Sequence, residues 1–377
     1  LNTTLKPTDQ LTQNDSKPYK KVFSYQWWPL PFLAVVLIMR AVLPAQMIER
    51  MYSRGLFVGL RGIWDYTLPL LPIPLFYVFW VAVLAWLVRT VIVFRRGRRM
   101  QGKVKGRWRS LVLRFLNGAA MLVVVFLLGW GFNYGRLPVD HSMGFTRYQP
   151  TLDELRQRVY DDAAELAILR QKVSSDSAAI GAAVYSPKLE SEIRSALATA
   201  LKVAGYPVAG RPRVRQLVPK GILLRLSTAG VYWPWAGEGN IDAGLHPLQK
   251  PAVMAHELAH AYGFGDEGTC TFWAWLAGRQ STDSAVHYAI QLSYWRRLAG
   301  KLRQQEPDAY WAWRAANLDP GVRNDLQAIY DNSELYQDIA PVVRDAAYDT
   351  YLKTQGIHEG LLNYGTVVGL VEGYRRR

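Results

Sequence analysis

The sequence predicts an α-helical membrane anchor of three transmembrane helices, joined to an α+β domain that is mostly helical with a small sheet. Three observations predict it. Long apolar runs recur in the first third of the chain, and one of them has 21 residues without a charge. The basic excess of the whole chain lies in that same third. The remainder shows helical periodicity interrupted by short β-like stretches.

The 377 residues include 45 Lys+Arg and 30 Asp+Glu, a formal net charge of +15. Residues 1–136 hold 19 basic and 4 acidic residues, and residues 137–377 hold 26 of each. A basic balance first suggests nucleic acid. Nucleic-acid domains rarely interleave basic clusters with apolar runs of this length, so a lipid bilayer is the expected partner and nucleic acid is not. Half the residues are hydrophobic, which excludes a disordered chain. A single cysteine, Cys270, excludes an internal disulfide framework and a multi-cysteine zinc ribbon.

Residues 1–26 are polar, carry Lys17, Lys20 and Lys21, and read as a cytoplasmic N-terminal segment. No small-residue cleavage site follows the first apolar run, so no cleavable signal peptide is expected. The membrane part is 27–136, with spans near 27–48, 68–88 and 112–132. The first, Trp27 to Ile48, is interrupted by Arg40. The second, Leu68 to Val88, is the charge-free run. In the third, Phe115 to Phe132 has Asn117 as its only strongly polar member. Between the last two lies a basic loop, 95–109, with eight Lys/Arg and no acid. A short loop of this kind belongs in the cytoplasm by the positive-inside rule. Glu49 to Thr67 then becomes an outer-side loop, and residues 137–377 become an outer-side domain.

Within that domain Thr151-Leu-Asp-Glu154 is a capping box. Arg213 to Val218 and Ile222 to Leu226 are β-like. A Gly- and Trp-rich stretch, Gly230 to Gly244, precedes a helical region that opens on Pro251-Ala-Val-Met-Ala255.

That helical region carries His256-Glu-Leu-Ala-His260, an H-E-x-x-H motif. Residues four apart share one helix face, so both imidazoles reach one ion. Zinc accepts two such nitrogens. Glu257 lies about 100° round the helix, where it reaches a water at the metal rather than the metal. The motif therefore predicts Glu257 as general base and then acid, with His256 and His260 as ligands of one Zn2+. Both histidines fall in an apolar setting, and a metal is the partner that buried imidazoles need. Two residues compete for third ligand. Asp266 completes an HExxHxxGxxD pattern, and Glu267 opens an E-x-x-C-T-x-x-A pattern that resembles the glutamate helix of gluzincin peptidases.

The chain resembles the DUF3810 family of bacterial membrane-anchored proteins, which belongs with the zincin-like metallopeptidases. The resemblance rests on Ile48-Glu49-Arg-Met-Tyr52-Ser-Arg-Gly-Leu-Phe57, Trp130-Gly-Phe-Asn133-Tyr134-Gly-Arg136, Val231-Tyr-Trp-Pro234-Trp-Ala-Gly237-Glu238 and Asn363-Tyr364-Gly365. It implies a zincin-like domain anchored in the bacterial inner membrane, with the catalytic domain periplasmic. A family run of the type G-F-x-x-E-D-E-A-N-F lies on Gly263 to Phe272. Its first Glu falls on Glu267 and its second on Thr269, which puts Glu267 ahead of Asp266 as third ligand.

The expected activity is zinc-dependent hydrolysis of peptide bonds in a peptide or protein substrate. The alternatives are a non-catalytic scaffold that keeps the fold as a binding surface, and a metal-dependent hydrolase of a non-peptide bond. No second cofactor is implied, and nothing in the sequence sets an oligomeric state. Leu224 to Trp233 is a candidate edge strand for holding a peptide. Tyr364 is the first choice for a donor to the developing oxyanion, with His358 and Tyr232 behind it. Cys270 reads as a small buried residue packing the glutamate helix. His141, His246 and His287 carry no ligand spacing. Glu238, between two glycines, reads as a turn acid.

Overall fold

Pro29 sits in the first turn of a helix, where its missing N–H costs nothing, and the helix runs Pro29–Val42. It stops there because Leu43 precedes Pro44 and is held extended, at φ −73° and ψ 124°. The computed structural model describes residues 28–67, 71–101, 107–339 and 341–377. The N-terminal segment 1–26 lies outside them.

The expected first span, 27–48, is therefore corrected. Its helix has 14 residues, and the chain then turns by 107° into a second helical segment, Ala45–Thr67. Ile48–Leu56 within it is π-helical. Glu49 to Thr67, expected as a loop, is helix whose buried face carries Glu49, Arg61 and Asp65. Arg40, the charge that interrupts the first run, donates to Gln355 through both Nη atoms (2.7 and 2.9 Å).

The second span starts later than 68. Pro72 and Pro74 keep residues 71–74 out of helix, and the helix is Leu75–Gln101. Leu68 to Leu70 lie outside the described residues. The third helix is Arg107–Gly129, which starts and ends before the expected 112–132. The basic loop 95–109 is thus mostly the ends of two helices, and residues 102–106 lie outside the described residues. Leu75–Arg96 and Trp108–Gly129, 22 residues each, are long and apolar enough to cross a membrane. The bent pair makes a third crossing if it counts as one.

After a 3-10 turn at Gly131–Gly135 the chain is mostly helical. The capping box forms as expected: Thr151 caps Leu152–Gln171 and Glu154 reaches back to it. The sheet has three strands in the order β1-β3-β2. β1 (Val214–Leu217) is parallel to β3 (Glu238–Asp242), and β2 (Gly230–Trp233) is antiparallel to β3. The β-like Ile222 to Leu226 is not a strand. Asp242 pulls it into a turn by accepting from the backbone N–H groups of Gly221, Leu223 and Leu224 (2.8, 2.7 and 3.1 Å).

The core lies between the histidine helix Lys250–Ala261, the glutamate helix Glu267–Gln280 and the long helix Ser284–Gln305, where Phe272, Trp273, Tyr288, Tyr294 and Trp295 are fully buried. The apolar helices are bonded to this body at several points. Glu238, read from sequence as a turn acid, is a buried β3 residue. Its Oε1 accepts from the backbone N–H groups of Leu75 and Phe76 (2.6 and 3.4 Å), which fixes a carboxylate at the positive end of the helix Leu75–Gln101. Arg136 donates to both oxygens of Glu49 (2.8 Å each) and to the Gly263 carbonyl (2.7 Å).

Arg136 and Glu49 side chains are both 7 % exposed. Arg54 also donates to Glu49 (2.7 Å) but is partly exposed, so removing Arg136 takes away the buried charged hydrogen bonds and leaves the carboxylate half-compensated, a loss of about 1.5–3 kcal/mol. Arg136→Met is expected to lower stability by that amount in urea unfolding of the detergent-solubilised chain. Adding Glu49→Met is expected to restore most of it. A single variant within ~0.5 kcal/mol of wild type, the usual range of a surface substitution, would mean that this pair does not hold the two parts together.

Candidate metal centre

The histidine helix ends at Ala261, and Gly263 (φ 87°) reverses the chain. A Cβ there would come within 2.6 Å of Phe57 and 3.1 Å of Asn133 Oδ1, so the turn needs glycine for space as well as for conformation. Asp266 then caps the glutamate helix, accepting from Thr269 N (2.6 Å). Its other oxygen accepts from Asn363 Nδ2 (2.7 Å). Both Asp266 oxygens are thus engaged in starting the helix. Glu267, one residue on, points back at the histidines.

His256 Nε2 lies 3.1 Å from His260 Nε2 and 2.9 Å from Glu267 Oε2. His260 Nε2 lies 3.4 Å from the same oxygen. The tautomers follow from what each Nδ1 meets. His260 Nδ1 faces the Phe264 carbonyl (2.8 Å), which only accepts, so it carries the hydrogen. His256 Nδ1 faces Thr271 Oγ1 (3.2 Å), whose own hydrogen goes to the Glu267 carbonyl (2.9 Å). His256 Nδ1 therefore carries its hydrogen too. Both Nε2 atoms present lone pairs, and Glu267 Oε2 presents another. With both imidazoles neutral, three acceptors converge with no hydrogen among them, and either a metal ion or a proton on one Nε2 would satisfy them.

Zinc bonds of about 2.0–2.1 Å at tetrahedral angles separate ligand atoms by about 3.3 Å. The observed triangle of 2.9, 3.1 and 3.4 Å fits that size. The remaining carboxylate oxygen, Glu267 Oε1, accepts from the Tyr348 hydroxyl (2.8 Å). Burial works against a charged His260, yet Cys270 and the Glu267 carboxylate raise its pKa well above the ordinary value. The local field favours positive charge at this point.

Cys270 also comes near the pair, its ligand atom within 4.8 Å of theirs. Its Sγ lies 3.3 Å from His260 Nδ1 and 3.3 Å from the Phe264 carbonyl, on the side of the ring away from Nε2. It is fully buried, and burial pushes the thiol up to about 12. It packs behind the ring, as its sequence context suggests.

Glu257 lies under the sheet, 4 % exposed. The Tyr232 backbone N–H donates to its carboxylate, and Oε2 has no partner among the described residues. Burial raises its pKa to about 8, against the pull of His260. Gly230 and Gly239 make its place: a Cβ on Gly230 would lie 2.6 Å from Glu257 Oε1, and one on Gly239 2.8 Å from Glu257 Cβ.

His256, Glu257, His260, Glu267 and Thr271 line a cavity of about 690 Å³, together with β2, Tyr348 and Tyr364. The Tyr364 ring stacks on His256 at 6.2 Å between centroids, and its hydroxyl is 3.3 Å from that of Tyr348. Tyr232 lines the cavity from β2, whereas His358 is exposed and does not line it. His246 caps a 3-10 turn, accepting from Leu248 N (3.3 Å), and His141 is exposed. Sequence reasoning missed Tyr348, 81 positions from Glu267; no spacing rule links them. It also missed Thr271, although a threonine four residues after Glu267 on a helix is a readable local signal. Arg297 was missed as well: it lines the cavity beside Tyr364 and has no ion pair among the described residues.

The sequence pattern of DUF3810, described as a protein of unknown function, matches residues 52–371. The chain belongs to the DUF3810 family. No curated protein and no solved structure matches it. In this DUF3810 chain the matched region runs from the π-helical segment to the last helix. It thus takes in both apolar helices, the sheet and every residue of the converging triangle.

Gly230→Ala in this DUF3810 chain is expected to cost about 1–3 kcal/mol, because the added methyl must displace Glu257 or the Asn240 carbonyl. Gly365→Ala, with nothing within 4 Å of the new Cβ, is expected to be close to neutral. Thermal unfolding of the two variants side by side measures the difference, and equal midpoints would remove the packing argument.

Proposed function

We propose that this chain is a membrane-anchored zinc metallopeptidase of the gluzincin type, with its zincin-like domain on the periplasmic side of the bacterial inner membrane. The observation that carries the reading is the triangle of His256 Nε2, His260 Nε2 and Glu267 Oε2 beside a carboxylate with an open oxygen. His256, His260 and Glu267 would hold one zinc ion, which when bound supplies a Lewis acid and acidifies a water. Once ionised, as the positive charge of a bound metal would favour, Glu257 Oε2 is the atom free to take a proton from the attacking water and pass it to the leaving nitrogen. Its burial keeps competing water away. Tyr348 holds the second oxygen of Glu267, which fixes the rotation of that carboxylate. The Tyr364 ring stacks on His256, and its hydroxyl would meet the oxygen on which negative charge grows. β2 pairs only with β3 among the described residues, so apart from the Tyr232 N–H held by Glu257 its other edge would be open beside the cavity to an extended peptide. The basic helix ends around residues 95–109 support the cytoplasmic placement of that turn.

Glu257→Gln is expected to keep about one zinc per chain and to lose about 100-fold or more in kcat/KM on a cleaved peptide. Full activity in this variant would make the carboxylate irrelevant and favour a binding role. Glu267→Ala is expected to strip the metal, while Asp266→Ala and Cys270→Ala retain it; elemental analysis of the purified proteins reads this directly. Loss of zinc in Asp266→Ala with retention in Glu267→Ala would reverse the ligand assignment.

For the membrane arrangement, reporters fused after Arg109 and after Arg377 are expected to report opposite sides. Reporters on the same side would overturn the proposed topology.

A further inference from the structure

The cavity has two unlike ends. At one end β2 runs into Trp233-Pro234-Trp235, and these residues wedge between the two long apolar helices. The Trp235 ring lies 5.5 Å from Phe79 of Leu75–Gln101 and 5.5 Å from Phe126 of Arg107–Gly129. Its Nε1 donates to the Leu122 carbonyl (3.0 Å). Leu122 is two turns below the end of its helix, about 10 Å at ~1.5 Å per residue. Trp233 packs on Phe76, Phe79 and Trp80 at 5.1, 5.4 and 5.5 Å. The outer side of this wedge has no protein cover among the described residues: Trp80 is 47 %, Leu122 39 % and Val125 44 % exposed. Trp233, Pro234 and Trp235 nevertheless line the same cavity as His256 and Glu257. The other end is polar, with Ser227, Thr228, Ser293, Arg297 and the Arg344–Asp345 pair.

An apolar mouth at helix depth, a polar far end and the candidate centre between them describe a ligand that is itself amphiphilic. We infer that the substrate is a peptide segment adjoining an apolar anchor embedded in the bilayer, and that it reaches the centre past Trp233 and Trp235. The inference rests on the peptidase reading and names the substrate class for that site. Its geometry gives a ruler. Trp130, the first residue after the third helix, donates from Nε1 to the carbonyl of His260 (2.9 Å). The centre therefore sits one side chain above the end of that helix. At about 3.3 Å per extended residue, the bond at the centre lies roughly three to six residues from the anchor. An acyl chain and an apolar helix are the same anchor to this mouth.

The test uses the full chain carrying Glu257→Gln in lipid nanodiscs, and peptides with a photoreactive residue about four or about twenty residues from the anchor, joined by a flexible linker in the long case. Each is made with an acyl anchor and with an apolar helical anchor. Membrane concentration is then equal for near and far probes, so enrichment at the membrane alone cannot separate them. The near probe is expected to label cavity residues at least about tenfold more than the far probe, a difference of ~1.4 kcal/mol in effective affinity. Trp235→Ala and Phe79→Ala are each expected to remove most of that preference, and Trp235→Phe, which keeps the ring and loses only the Nε1 bond, to retain it. Equal labelling by near and far probes, or an unchanged preference in Trp235→Ala, would overturn the inference. Labelling by one anchor type alone supports it and identifies the source. Wild-type protein is run on the same peptides. Preferred near labelling without cleavage would sink the peptidase reading and leave the ligand class standing. Cleavage with no near preference would do the reverse.

Discussion

Two imidazole nitrogens and a carboxylate oxygen meet here across about 3 Å, and without a proton or a metal ion between them their lone pairs would repel. That arrangement is the constraint on which the rest of the structure depends. It persists because each ligand is held from behind by an acceptor or donor of fixed role. The Phe264 carbonyl turns one imidazole, Thr271 turns the other, and Tyr348 holds the carboxylate. The turn at Gly263 and the cap at Asp266 bring two helices back to back so that these partners are in reach.

The same need for partners explains how the apolar helices meet the rest of the chain. Residues 71–74 are irregular backbone beside a helix that is apolar enough to span a membrane, where unpaired carbonyls are costly. Arg215 donates to the carbonyls of Leu71 and Pro72 (2.7 and 3.0 Å), while Glu238 takes the first N–H groups of the following helix. Tyr77 both donates to and accepts from the backbone of Val218 (2.6 and 2.8 Å). The buried charges of Ala45–Thr67 are answered in kind. Arg61 lies beside Asp65 (3.6 Å), and Asp65 accepts from Arg211 N (2.8 Å). Polar groups that would be liabilities next to lipid are thus the fasteners between the two parts.

The local patterns were legible in the sequence. H-E-x-x-H gave the face of one helix, Thr151 and Glu154 gave a capped start, and uninterrupted apolar length gave two candidate spans. Prolines were the main source of displaced boundaries. Pro44 ends a helix that composition alone would carry to Ile48, and Pro72 with Pro74 delays the next until Leu75. Strand β3 was hidden because Glu238-Gly-Asn-Ile-Asp242 has Ile241 as its one β-branched residue among Gly, Asn and acids, which are depleted in strands; its burial between β1 and β2 decides its state. Glu49 to Thr67 read as a loop because its charges look solvated until their distant partners are in place. Tyr348, Asn363 and Trp130 could not be found from spacing, since each acts on a residue far along the chain.

That distance has a consequence in time. A chain made from its N-terminus emerges with its apolar helices first and completes the histidine pair well before the residues that hold the site together. Gly268 N waits for Asn363, 95 positions later, and Glu267 waits 81 positions for Tyr348. During synthesis the nascent polypeptide therefore carries both imidazoles before the carboxylate opposite them has its orientation fixed. Its last helical stretch acts as the closing stitch, so the centre reaches its final shape only after the rest of the molecule is already in place.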